Sequence, residues 1–154
     1  MAKLAEEIKM RKPFSQLEEE AALSIMRTAD LLSQRTLPVL RGFDLSGSQY
    51  NVLRILRGSP EGLPCGQIAE RMISRDPDVT RLLDRMEARG LIRRERSEQD
   101  RRVVTARITA GGLELLKQAD PAITVHHRRQ FEALGEKKLR RLIELMQEVR
   151  EVSV

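Results

Sequence analysis

The sequence is poor in cysteine and in aromatic residues. Its 154 residues include one cysteine, no tryptophan, one tyrosine and three phenylalanines. A single cysteine excludes an internal disulfide and a zinc site built from a cysteine cluster. So few aromatic rings disfavour recognition of single-stranded RNA, because the proteins that bind it stack the bases on aromatic side chains. If the partner is a nucleic acid, duplex DNA is therefore favoured.

Long apolar runs and the motifs of enzymes are also missing. No apolar run is long enough for a secretion signal or a membrane-spanning helix, so we expect a cytoplasmic protein. The chain has no nucleophile elbow and no phosphate-binding loop, and we expect neither catalytic residues nor a cofactor. No metal site is expected either. The neighbouring His126 and His127 would point about 100° apart on a helix.

Positive charge is abundant and concentrated in one segment. The chain carries 28 Lys and Arg against 23 Asp and Glu, and its isoelectric point is near 9.9. Residues 89–107 contain seven arginines and three acidic residues, and hence +4 of the formal net charge of +5. A basic segment of this kind is expected where a polyanion such as DNA meets the protein surface.

The two ends of the chain show signals of long helices. Residues 1–13 predict an arm, and the capping-box pattern of Ser15 and Glu18 predicts a helix from there to about Leu40. Thr109 predicts the cap of a second long helix, and a last helix is expected over about residues 136–151. The apolar stripes predicted for the last two helices are Leu113, Leu116, Ala119 and Ile123, and Leu139, Leu142, Ile143 and Met146.

The centre of the chain predicts a helix-turn-helix. Ser46 and Gln49 form a capping box for a helix that ends at Gly58, and Pro64 opens a short helix. Asp76 before Pro77 predicts the cap of a third helix that runs to about Arg89. Its apolar stripe is Val79, Leu82, Leu83 and Met86, and its outer face carries Asp78, Arg81, Asp84 and Arg85. Two short helices in sequence, the second with a polar outer face, are typical of DNA recognition.

Two strands predicted at 91–97 and 103–108 form a hairpin whose tip is 98–101. Helix-turn-helix and hairpin together predict a mainly α fold with a small β-wing. We expect one domain, 1–154, with a winged helix-turn-helix core at 45–110 and dimerisation helices at 14–42 and 111–152. A homodimer is expected because the small core is unable to cover the apolar stripes of the long helices.

The sequence resembles the MarR family of bacterial transcription regulators. The resemblance rests on LSGSQYNVLRILRG, on QIAERM and on VTRLLDRMEARGLIRRERSEQDRRVVTARITAGG, and it is close over residues 45–116. It implies a homodimer that binds pseudo-palindromic operators, commonly as a repressor, and that releases DNA when a small molecule or an oxidant acts. It also implies that Arg81 contacts bases or phosphate, that Arg102 enters the minor groove and that Asp100 steadies the wing.

The candidate DNA-binding residues combine the third helix with the wing. They are Arg75, Asp76, Asp78, Thr80, Arg81, Arg85, Arg94, Arg101 and Arg102, with Asp100 as the wing-stabilising residue. Asp76 and Asp78 place acids where the family commonly has small hydroxyl residues. Since Asp accepts from cytosine but repels phosphate, the operator sequence does not carry over from relatives.

Alternatives remain open for several of these residues. Arg81 and Arg85 also have the spacing to pair with Asp78 and Asp84 on a solvated helix face. Met26, Phe43 and Tyr50 form a candidate effector pocket, and each also suits the core. Cys65 is interpreted as a small, partly buried thiol. For the whole chain, the alternative function is a winged-helix protein-interaction module without specific DNA binding.

Overall fold

The computed structural model describes residues 4–74, 78–96 and 103–152. The chain divides into two compact units, Met1–Pro38 and Val39–Val154. In the described part of the chain, no helix is both long and apolar enough to cross a membrane.

The first unit is helical. It contains α1 (Leu4–Glu7), which the sequence did not predict, and most of α2 (Leu17–Arg41). Helix α2 begins two residues after the predicted start at Ser15. Its apolar side chains include Leu17 and Met26, which are 77% and 66% exposed in the single chain. This unit therefore presents apolar surface to its surroundings.

The second unit begins with the expected helices α3 (Gly47–Arg57), α4 (Cys65–Arg71) and α5 (Val79–Ala88). The capping box of α3 is confirmed. Ser46 Oγ accepts from the Gln49 amide at 3.1 Å, and Gln49 Oε1 accepts from the Ser46 amide at 2.9 Å. The predicted cap of α5 was wrong. The helix starts later, at Val79, and Asp78 rather than Asp76 caps it. The Asp78 carboxylate accepts a hydrogen bond from the backbone N–H of Arg81 at 3.0 Å, three residues further on, as an N-cap side chain does.

The wing belongs to a three-stranded antiparallel sheet. Strands β1 (Leu63–Pro64), β2 (Ile92–Arg96) and β3 (Val104–Ile108) lie in the order β1-β3-β2, which places β2 at an edge. The register pairs Arg96 with Val104 and Leu63 with Ala106. Strand β1 was not predicted, because two residues are too few to show the alternation that identifies a strand.

One apolar core joins α3, α4, α5, the sheet and the long helix that follows the sheet in the chain. The stripe predicted for α5 is confirmed, since all four of its side chains are buried. The largest side chains that are fully buried are Val52, Leu53, Leu56, Ile68, Leu82, Leu83, Met86, Ile92 and Leu116. Burial of the stripe sets the rotation of α5 and thereby decides which of its residues face outward.

The C-terminal part consists of α6 (Ala110–Phe131), a 3-10 turn (Glu132–Leu134) and α7 (Gly135–Glu151). Thr109 caps α6 as predicted. Leu113 was expected on the buried face, but it is 44% exposed, because Gly112 lies one turn before Leu116 and takes the inward position. Helix α7, which the structure describes throughout, has no buried residue, and Ile143 is 58% exposed. Its apolar stripe is thus only partly covered in a single chain.

Candidate nucleic-acid interface

The outer face of α5 presents Thr80, Arg81 and Arg85 to solvent. The side chain of Arg81 is 79% exposed, and its Nε lies 3.1 Å from Asp78 Oδ2. The intrahelical pair that the sequence left open is therefore present for Arg81. Exposed pairs of this kind contribute little to stability, so Arg81 remains available to a stronger partner such as a phosphate or a guanine.

The carboxylate of Asp78 acts within the protein. One oxygen accepts from the Arg81 amide and the other pairs with the Arg81 guanidinium. A carboxylate at a helix N-terminus also interacts favourably with the helix dipole. Asp78 thus caps α5 and orients Arg81, and its contact with DNA stays a prediction.

Arg94 on β2 is bound to two carboxylates. Its Nε and Nη2 lie 2.8 Å and 2.7 Å from Glu87 Oε2, and Nη2 lies 2.6 Å from Asp84 Oδ1. The hydrogen bonds from the Arg94 side chain and backbone lower the pKa of Glu87. In turn, the hydrogen bond to Glu87 raises the pKa of Arg94. The structure therefore places this predicted DNA contact in an ion-pair cluster between α5 and the wing.

Another arginine, which the sequence interpretation missed, anchors the end of α5. Arg89 Nη1 donates to the backbone oxygen of Asp44 at 2.7 Å, and its Nη2 lies 3.0 Å from Asp44 Oδ2. Asp44 follows α2 and has a positive φ of 53°. No local pattern marks this contact, because its partners are 45 residues apart in sequence.

Five predicted site residues lie outside the described residues: Arg75, Asp76, Asp100, Arg101 and Arg102. On β2, Arg96 is exposed and Arg93 Nε lies 3.1 Å from Glu95 Oε1. The described part of the wing thus carries basic side chains toward its tip, and the roles of the five residues stay predictions.

The candidate effector residues lie in different units. Phe43 and Tyr50 pack against the core of the second unit, whereas Met26 belongs to the first. The Tyr50 hydroxyl donates to Asp120 Oδ1 at 2.7 Å, and Arg57 donates to the other carboxylate oxygen. Burial acts to raise the pKa of Asp120, but the hydrogen bonds from Arg57 and Tyr50 outweigh it and lower that pKa. Tyr50 is therefore part of a polar link between α3 and α6.

The hydroxyl of Tyr50 should ionise at an unusually high pH. Burial, followed by the hydrogen bond to Asp120, raises its pKa to about 12. Below its ordinary pKa of about 10 both folded and unfolded chains hold the proton, and the full contribution to stability is present. As the pH rises from there to about 12, the unfolded chain ionises first and stability falls.

This is measurable directly, because Tyr50 is the one tyrosine of the chain and there is no tryptophan. Ultraviolet titration of the folded protein should give a tyrosinate midpoint near 12. Replacing the partner, Asp120→Asn, should move the midpoint toward the ordinary value. A parent midpoint equal to that of the urea-unfolded chain would contradict the hydrogen bond.

Cys65 is partly buried, with its sulfur 4.0 Å from Thr80 Oγ1. This agrees with its interpretation as a small, partly buried thiol. The rings of His126 and His127 are 6.2 Å apart at their centroids. Over residues 4–74, 78–96 and 103–152, no three His, Cys, Asp or Glu side chains are grouped so that they can hold a metal ion.

Comparison with known proteins agrees with this architecture. The model of the MarR family matches residues 45–104. A MarR transcription factor from Planctomyces limnophilus is 41% identical, with 88% of this chain and 98% of that one covered and a TM-score of 0.67. The chain belongs to the MarR family. The expected winged helix-turn-helix fold is confirmed, and the protein is a transcriptional regulator.

Two further similar proteins illustrate the range of the likeness. The transcriptional repressor CouR of Rhodococcus jostii RHA1, in a structure bound to a 23-mer DNA duplex, is 25% identical. It covers 92% of this chain and 99% of its own, with a TM-score of 0.81. The regulator PecS of Dickeya dadantii is 29% identical over 110 residues, which are 70% of this chain and 66% of PecS.

Proposed function

We propose that this protein is a cytoplasmic repressor that binds pseudo-palindromic duplex DNA as a homodimer and has no enzymatic activity. The observation that carries the proposal is the outer face of α5, where Arg81 and Arg85 are exposed while the opposite stripe is buried. In this proposal α5 enters the major groove and the wing reaches the adjacent minor groove.

Charge and geometry support α5 as the recognition helix. Arg81 is the third residue of α5 and lies in its first turn. Val79 of the same turn is buried, whereas Thr80 and Arg81 are exposed. Residues near the N-terminus of a recognition helix are those that reach base edges, and a guanidinium binds guanine through two hydrogen bonds. Arg102 and Asp100 join the proposal on the resemblance, Arg102 as the minor-groove contact and Asp100 as the residue that steadies the wing. Arg75 and Arg101 join it as basic residues beside α5 and at the predicted tip of the wing. The structure of CouR bound to a 23-mer DNA duplex supports duplex DNA as the partner.

Apolar side chains that stay exposed on α6 and α7 support a homodimer. Ile143 and Val149 of α7 are each 58% exposed, and Leu113 of α6 is 44% exposed. Burying such side chains stabilises a protein by about 25 cal/mol for each Å² of apolar surface removed from water. A second copy of the same helices offers a matching apolar surface, as symmetric interfaces require.

A small-molecule effector completes the proposal. Its candidate residues remain Phe43 and Tyr50 of the second unit and Met26 of the first. Tyr50 lies on α3, in the same helix whose Leu53 and Leu56 pack in the core with the α5 stripe. A ligand that displaces Asp120 from Tyr50 would act on the helix that supports α5. This is the physical route by which binding there would alter the affinity for DNA.

The test is selection of bound duplexes from a random pool by the purified protein. The recovered sites should share dyad symmetry with half-site centres about 10 bp apart, because two recognition helices must meet one face of the duplex. Light scattering should find two chains, each of 17.6 kDa, on each duplex.

Affinity for the selected duplex should also fall steeply as the salt concentration rises. In a plot of log binding constant against log salt concentration, the slope should be about −0.9 for each phosphate that is neutralised. Selected sites without dyad symmetry would refute the proposed operator. A salt slope near zero would point instead to the alternative function, a module that binds other proteins.

A further inference from the structure

The last turn of α5 is joined to the wing by a three-residue cluster, Arg94, Glu87 and Asp84. Strand β2 lies at the edge of the sheet, and the backbone N–H of Arg94 donates to Glu87 Oε1 at 2.7 Å. The other oxygen of Glu87 accepts from Nε and Nη2 of Arg94. Glu87 therefore holds both the backbone and the side chain of one residue in β2.

The geometry differs from that of an ordinary surface ion pair. Exposed pairs are weak because long side chains must be ordered in water to form them. Here the side chains of Arg94 and Glu87 are only 27% and 35% exposed, and the guanidinium binds the carboxylate through two N–H groups. Paired, charge-assisted hydrogen bonds of this kind define an orientation as well as a distance.

The cluster is also unusual in its charge. It brings two carboxylates and one guanidinium to the junction between α5 and the wing, and so has a net charge of −1. Carboxylates near a DNA-binding surface repel phosphate. A cluster that opposes DNA binding by its charge must contribute in another way if it supports that binding.

We infer that Arg94 is a positioning residue: gripped by Glu87 and Asp84, it holds strand β2 against α5 so that recognition helix and wing meet DNA in one fixed arrangement. The inference rests on the proposed DNA binding. Holding the two elements together before binding avoids the loss of freedom that a loose wing would suffer on the DNA. Arg94 then affects affinity through the wing, although its own guanidinium is occupied within the protein.

Glu87→Ala tests this against a matched control, Glu95→Ala. Glu95 also lies on β2, and it pairs with Arg93 and Arg107. Each variant removes one negative charge, so charge alone predicts that both bind the selected duplex more tightly. Positioning predicts that Glu87→Ala binds about threefold to tenfold more weakly, whereas Glu95→Ala binds as tightly as the parent or more tightly.

Arg94→Lys separates positioning from contact with DNA. Lysine keeps the charge but lacks the planar fork that grips Glu87. We expect Arg94→Lys to lose as much affinity as Glu87→Ala, and the double variant to lose no more than either one. If Arg94 instead contacts phosphate, lysine should retain most of the affinity and the two losses should add.

A second readout needs no DNA. Because the Arg94 amide donates to Glu87, its hydrogen exchange in the free protein should accelerate in Glu87→Ala and stay unchanged in Glu95→Ala. Urea unfolding of each variant shows whether the fold persists. If Glu87→Ala does not fold, Glu87→Gln, which keeps a hydrogen-bond acceptor, replaces it. In that case, Glu87→Gln should show the same direction of change with a smaller loss.

Arg81→Ala is measured in parallel, so that the two proposals can fail separately. If Arg81→Ala binds the duplex as the parent does, the proposed DNA-binding mode fails and the positioning inference fails with it. If Arg81→Ala weakens binding while Glu87→Ala binds as tightly as Glu95→Ala, the positioning inference alone is overturned.

Discussion

Gly112→Ala is expected to lower the free energy of unfolding by about 3 kcal/mol. A methyl group at this position would lie 2.3 Å from the Leu91 carbonyl oxygen, 2.8 Å from Ile108 Cγ1 and 3.2 Å from Leu53 Cδ2. The first distance is far inside van der Waals contact and involves backbone, which has little freedom to move. The start of α6 would have to shift away from α3 and the sheet.

The adjacent glycine is the control for this prediction. At Gly111 an added methyl group meets the Gly90 oxygen at 3.4 Å, an ordinary contact. Alanine is the better helix former, by up to about 1 kcal/mol, so Gly111→Ala should unfold at an equal or higher urea concentration than the parent. Equal urea midpoints for Gly112→Ala and the parent would contradict the close approach of α6 to Leu91.

Arg81→Ala is expected to weaken binding to the selected duplex by about 1–3 kcal/mol for each recognition helix. The side chain is 79% exposed and its ion pair with Asp78 is weak, so the free protein gives up little when Arg81 turns to DNA. If Arg81 reads a base, discrimination should be lost at one symmetric pair of positions. If it contacts phosphate, the loss should be nearly uniform across sequences, with a shallower salt slope.

The matched control is Arg140→Ala on α7. Arg140 is 73% exposed and pairs with Glu136 on its own helix, so the variant makes the same change in charge on a similarly exposed helical arginine. Light scattering should give an unchanged dimer mass for both variants. A well-folded Arg81→Ala dimer that binds every duplex like the parent would remove α5 as the recognition helix.

The sequence by itself determined the elements whose signals are local. The capping box of Ser46 and Gln49 and the buried stripe of α5 were predicted correctly, because each depends on residues three or four positions apart. The cap of α5 was placed two residues too early. Asp76 and Asp78 both suit a cap, and the choice between them depends on where the helix begins.

The family was also determined by the sequence, since it rests on the order of motifs along the chain. The candidate contacts on α5 followed from the same stripe, which leaves Arg81 and Arg85 on the outer face. Their contacts with DNA remain predictions.

Only the tertiary structure decided which charged residues act on one another. Arg94 appeared in the sequence as one of seven arginines in a basic segment, yet it is bound to Glu87 across the junction between helix and wing. The links between Arg89 and Asp44 and between Tyr50 and Asp120 join residues that are 45 and 70 positions apart. Strand β1 exists because β3 pairs with it. The physical reason is the same in each case: these interactions depend on side chains and strands that folding brings together, and no local periodicity encodes such a meeting.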